Sequence, residues 1–190
     1  PENPMKTIVE KIGLGPHADQ VKYREVSEED IQSLENELYF NIPPELKSFY
    51  REQGSFYYWA RGLKEEDTNV VISADLFKVN LDYNFHQFPL YDFLGSCIGD
   101  VEALGPNYLK EKDYLNSCLA VYASIDEEIE GMRFMEYFYF DALGYYGSLR
   151  FENKEGQDLS ALIDELVARK GRYEAFMTAR QAKIDQAENA

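Results

Sequence analysis

The stretch "LENELYFNIPPELKSFYREQG", Leu34–Gly54, decides how the first part of the chain folds. It has helical apolar spacing on both sides of Pro43 and Pro44. Upstream, Ser27 is a capping residue, and Glu28, Glu29 and Asp30 follow where the positive end of a helix dipole favours acids. Ile31, Leu34 and Leu38 form one apolar face. Pro43 disfavours helical backbone at Ile42, so the first helix has to end by about Asn41. Pro44 suits the first turn of a second helix, where a missing N–H costs nothing. Leu46, Phe49 and Tyr50 give that second helix its own apolar face, and Gly54 suits a left-handed terminus. The prolines therefore separate two helices and let the second fold across the first.

Working outward, "MKTIVEKIG" (5–13) predicts a short amphipathic helix, and "LGPHADQ" after it a loop. Beyond Gly54 the period changes. "SFYYWARGL" and "NVVISADLFKVN" are rich in β-branched and aromatic residues and predict strands, with "EEDTN" as an exposed turn. The stretch from Leu81 to Leu109 mixes aromatics, glycines and prolines. It reads as long connections with a short strand or helix near Leu104. "SCLAVYASI", "MRFMEYFYFDA" and "YGSLRFEN" predict strands, "DEEIEG" an acidic turn, and Gly144 with Gly147 a second turn. "LSALIDELVARKG" is an amphipathic helix, and from about residue 172 the helical pattern continues but loses apolar character, so its end is expected to fray. Helices, then an antiparallel-looking sheet, then helix predict an α+β domain. The 190 residues read as one domain. Residues 1–4, "PENP" ahead of Met5, read as an expression remnant or a truncated native end and are set aside.

Composition narrows the functions. Net charge is −16, from 35 acidic and 19 basic residues. Such a chain repels nucleic-acid phosphates and anionic membranes and attracts basic proteins, although the same charge also serves solubility. With 15 Tyr and 12 Phe, many rings have to line a core, since exposing them all would create large apolar patches. Cys97 and Cys118 form no C-x-x-C pair, so no zinc site is expected. Buried free thiols in a reducing cytoplasm are the plain reading, and the sequence leaves a disulfide between them open. No apolar run reaches the ~18 residues of a membrane helix, and the chain reads as cytoplasmic. His17 and His86 have no partner motif, Gly13 and Gly15 do not form a dinucleotide loop, and no G-x-S-x-G elbow occurs. Neither a metal, a cofactor nor a catalytic residue is assigned.

The unit from Ser27 to Gly54 resembles the SUKH superfamily, which includes cell-wall-assembly regulators and bacterial toxin-immunity proteins. The pattern is carried by Ile31, Leu34, Glu35, Leu38, Ile42, Pro43, Leu46, Phe49, Tyr50 and Gly54, and more loosely by "FYFDALGYYGSLRFENKEG" with "DLSALIDELV". The departures are a doubled proline, a longer C-terminal helix and an unmatched segment from Ser55 to Gly131. The resemblance implies a bent, mainly antiparallel sheet with helices packed on it, and binding rather than catalysis. On that reading the whole chain is one SUKH-like domain with a helical extension over 172–190. Leu34, Glu35, Pro43, Phe49 and Gly54 are structural positions of its pattern.

Candidate contact residues follow from residue type. Tyr57, Tyr58 and Trp59 are interface-type aromatics beside the acids Glu65, Glu66 and Asp67, although Trp59 is equally a core residue. Asp126, Glu127 and Glu128 offer an acidic contact for a basic partner, against the plainer reading of a solvated turn. Alternation along "MRFMEYFYF" puts Phe134, Phe138 and Phe140 on one face, with Tyr137 and Tyr139 on the other. Tyrosines outward would make a contact surface. The leading function is an immunity protein neutralising a basic toxin domain, such as a nuclease. A regulatory interaction module with a non-toxin partner comes second, and a carboxylate-dependent hydrolase using Glu35 third. The partner's identity and the oligomeric state are not encoded in any pattern here.

Overall fold

The computed structural model describes residues 21–61, 70–76, 88–98, 101–129, 132–152 and 159–190. The expected helix over 5–13 and the "EEDTN" turn lie outside these residues. The architecture is α+β. Strand β1 (Val21–Arg24) precedes α1 (Glu28–Leu38) and α2 (Pro44–Gln53). Then come β2 (Ser55–Arg61), β3 (Val70–Leu76), β4 (Phe88–Pro89), α3 (Leu90–Cys97), α4 (Pro106–Lys110) and α5 (Lys112–Cys118). A long hairpin of β5 (Leu119–Ile129) and β6 (Met132–Asp141) continues into β7 (Tyr146–Glu152). The chain closes with α6 (Leu159–Ala168), a 3-10 turn (Lys170–Tyr173) and α7 (Glu174–Glu188). Among the described residues the strands form one seven-stranded sheet in the order β1-β2-β3-β5-β6-β7, with β4 on β5. Every pairing is antiparallel.

The proline stretch folds as its chemistry requires. Ser27 and Asp30 exchange hydrogen bonds in a capping box: the Asp30 N–H donates to Ser27 Oγ and the Ser27 N–H to Asp30 Oδ2. Helix α1 ends at Tyr39, which takes left-handed backbone (φ 61°) and returns its N–H to the Glu35 carbonyl. Pro44 opens α2, and Gly54 ends it at φ 72°, a conformation easy only for glycine. Two side-chain links fix the angle between the helices. Glu35 Oε2 accepts from the Ile42 N–H at 2.9 Å, while its Oε1 pairs with Lys47 Nζ at 2.9 Å. At the far ends Arg51 holds Glu28 through both carboxylate oxygens. Glu35 is thus the brace of the corner that the prolines create.

Around β5, β6 and β7 both faces of the sheet are covered. On one, Leu34, Leu38, Ile42, Leu46 and Tyr50 are buried with Tyr122, Phe138 and Phe140, and Phe40 meets Phe140 edge-on at 5.8 Å. Tyr122 is the extra residue of a bulge in β5, where the register to β6 shifts between Val121 and Ala123. The opposite face carries Met135, Tyr137, Tyr139, Leu149 and Phe151 under α3, α5 and α6. The alternation along β6 is therefore as expected, but its tyrosines are not outward. Tyr137 is 8% and Tyr139 6% exposed. Their polar tips are met inside: the Tyr137 hydroxyl donates to Met135 Sδ, and Tyr139 Oη accepts from Arg169 Nη2 at 3.1 Å. The Tyr139 ring lies across Gly147, its cross-strand neighbour, where an added Cβ would fall 2.3 Å from the ring. Only glycine fits there.

Two further expectations are corrected. Asp126, Glu127 and Glu128 are not in a turn, because both β3 and β6 pair with that part of β5 and extend the strand through it. The stretch from Leu81 to Leu109 has the short helix expected near Leu104, a 3-10 turn over Val101–Leu104, but also holds α3 and most of α4 where connections are expected, and Ser117 and Cys118 end α5 rather than begin a strand. The C-terminal segment continues as helix to Glu188, as its pattern predicts, and α7 buries none of its residues. Arg180 docks it, with Nε donating to the Leu38 carbonyl at 3.2 Å and Nη1 to Ser117 Oγ at 3.1 Å. Among the described residues no helix is long and apolar enough to cross a membrane.

Candidate functional site

The residues singled out from sequence do not gather at one place. Glu65, Glu66, Asp67, His17 and His86 lie outside the described residues. Tyr57, Tyr58 and Trp59 fall on β2, an inner strand whose register sets them opposite Asp75, Ala74 and Ser73 of β3. Register sets Glu128 opposite Arg133, and Tyr137 and Tyr139 are core. Cys118 is a free, buried thiol, so the disulfide left open by the sequence is not formed. Burial pushes this thiol up to about 12. No group of His, Cys, Asp and Glu among the described residues is placed to hold a metal ion.

A different set of residues does converge, where α1 ends, β6 turns into β7 and α7 docks. Its centre is Asp141, a carboxylate only 3% exposed. Oδ1 accepts from the N–H groups of Leu143 and Tyr145, each at 2.9 Å, and Oδ2 accepts from the Tyr173 hydroxyl. The Asp141 N–H donates to the Tyr145 carbonyl, and the Gly144 N–H to the Asp141 carbonyl. Burial first, and then the bond to Asp141, push the Tyr173 phenol well above the ordinary tyrosine range. The turn is thereby fixed from inside, and what it displays outward is apolar: Leu143 is 47% and Tyr145 57% exposed. A side chain offered on a fixed backbone loses less freedom on binding than one on a loose loop.

Beside this tip runs a groove of about 570 Å³. Its walls include Gln32 and Asn36 of α1, Asn41 beyond it, Ala142 of the turn, and Phe176 and Lys183 of α7. Phe40 meets Phe176 edge-on at 6.2 Å. Tyr39 stands on the rim with the Arg180 guanidinium 5.2 Å from its ring centre. Glu35 also borders the groove, but both its oxygens are engaged at the helix corner, so it offers no free carboxylate for acid–base work.

The sequence did carry a signal for the tip. In "FDALGYYG" an aspartate precedes a glycine-containing turn between strands, the setting in which Asp accepts from backbone N–H groups two and more residues on. The groove had none, since its walls come from three distant parts of the chain.

No family model, curated protein or solved structure matches the chain. Its function is therefore read from its own surface.

Proposed function

We propose that this chain is a non-enzymatic binding protein that neutralises a basic bacterial toxin domain, as an immunity protein does. The observation that carries the reading is the fixed, exposed Leu143–Tyr145 tip on a protein of net charge −16. Exposed Tyr and Leu on a rigid turn supply anchor contacts, and the charge steers a basic partner toward them. The resemblance of the Ser27–Gly54 unit to SUKH proteins points to the toxin class. Glu35, the acid on which a hydrolase would most naturally rest, serves the helix corner instead.

The partner to try is the C-terminal domain of a large secreted protein encoded beside this chain. Binding kinetics over a salt series should show association that slows as salt rises, since exposed charges are screened over ~8 Å at physiological ionic strength. Tyr145→Ala should speed dissociation and cost about 2 kcal/mol of affinity, while leaving the association rate nearly unchanged. Absence of binding to that domain, with tight binding to a host regulator, would replace the immunity reading with the regulatory one. Turnover of a substrate abolished by Glu35→Gln would overturn both.

A further inference from the structure

The groove beside the tip is lined by three side-chain amides and one lysine, although the protein as a whole is acidic. Arg180 and Lys183 stand three residues apart on α7 and so share one side of it. Arg180 is spent on the Leu38 carbonyl and Ser117, but its charge remains at the rim. Lys183 is exposed and has no hydrogen bond or ion pair among the described residues. The Asn36 carbonyl oxygen is taken by Gln32 Nε2 at 3.0 Å, which leaves the Asn36 amide nitrogen free to donate. Asn41 is exposed and adds a second amide. The one acid on the wall, Glu35, is neutralised by Lys47. The floor is aromatic, from Phe40 and Phe176. Tyr39 is held at φ 61°, an outlier for a bulky residue, and such outliers gather at ligand clamps.

We infer that this groove receives the C-terminal end of a polypeptide, with its free carboxylate against Lys183, Asn36 and Asn41 and its last apolar side chain on Phe40 and Phe176. The charge pattern selects an anion, because three donors face a groove whose carboxylate is already paired. The rings select an apolar body next to that anion. A chain end meets both demands at once, since its carboxylate and last side chain leave the same carbon atom. A carboxylate bound by a cation and amides gains charge-assisted hydrogen bonds, stronger than those to a neutral amide. The inference rests on the chain being a protein-binding module and names one feature of what it binds.

The test needs no toxin. The isotope-labelled full chain is titrated with acetyl-Ala-Ala-Phe as the free acid, with the same peptide as its amide, and with acetyl-Ala-Ala-Asp amide. The free acid should move the side-chain amide signals of Asn36 and Asn41, and should bind about tenfold tighter than either amide. In Lys183→Met, at a position exposed enough to leave the fold intact, the preference should fall to about threefold or less. Equal binding of acid and amide would overturn the inference. So would aspartyl amide matching the free acid, or shifts confined to another surface. If the peptides fail while Tyr145→Ala still weakens the toxin complex, only the groove assignment falls. If both fail, the binding reading falls with it.

Discussion

At the scale of single residues, two buried polar side chains show how differently such a group can sit in this core. Asp141 gathers three donors, from the Leu143 and Tyr145 N–H groups and the Tyr173 hydroxyl. Tyr122 is 2% exposed and its hydroxyl has no partner among the described residues. Removing a shared acceptor strands every donor it served, whereas removing an unpaired hydroxyl relieves a desolvation cost. Asp141→Ala should therefore lower unfolding free energy by about 2–4 kcal/mol, with Asp141→Asn milder because one amide oxygen still accepts. Tyr122→Phe should be neutral or stabilise by about 1 kcal/mol. Urea denaturation of the three variants separates these outcomes, and a Tyr122→Phe loss as large as that of Asp141→Ala would mean the Tyr122 hydroxyl is bonded after all.

Among the elements, the α1–α2 corner was the most legible in sequence and the sheet's second face the least. Ser27, Pro43, Pro44 and Gly54 act through their own backbone chemistry, which a single residue announces wherever it stands. Phe138 and Tyr139 alternate as read, but alternation cannot say whether one face of a sheet is solvated. That depended on α3, hidden in a stretch whose glycines, prolines and aromatics imitate a loop, and on α5, too short to show a helical period. The docking of α7 was hidden for the same reason: it depends on one arginine reaching a carbonyl 142 residues away in sequence. The corner itself can be tested through Glu35. Glu35→Ala leaves the Ile42 N–H, on a residue 1% exposed, without its acceptor and frees Lys47, so about 1–3 kcal/mol of stability should be lost. Glu35→Gln keeps an acceptor for Ile42 and should recover most of that loss, since the remaining ion pair is partly solvated. Thermal melts of both variants decide this, and equal losses would put the weight on Lys47 instead of on the backbone bond.

At the scale of the whole molecule, the abundance of tyrosine has a consequence for pH. The sequence showed that many of the 15 tyrosines had to be inside, but not that their phenols would be buried on both faces of the sheet. Burial pushes Tyr108 up to about 12 and Cys118 up to about 12, and it raises Tyr50, Tyr114, Tyr122, Tyr146 and Tyr173 as well. In the unfolded chain these groups return to ordinary values, about 8.5 for the thiol and about 10 for the phenols. Each is neutral in both states below those values, so the full stability is present there. Above them the unfolded chain gives up its protons while the folded one keeps them, and folding loses free energy as pH rises toward the folded values. Stability should therefore be level through neutral pH, begin to fall near pH 9 as Cys118 comes into play, and fall steeply above about pH 10 as the phenols follow. Tyrosinate absorbance should then appear together with loss of helix in one cooperative step, because buried phenols ionise only when the chain opens. Cys118→Ala should remove the early part of the fall and leave the steep part in place. Independent titration of the phenols, with helix content unchanged to about pH 12, would show that they are reachable by solvent in the folded chain and that the two covered faces are not closed.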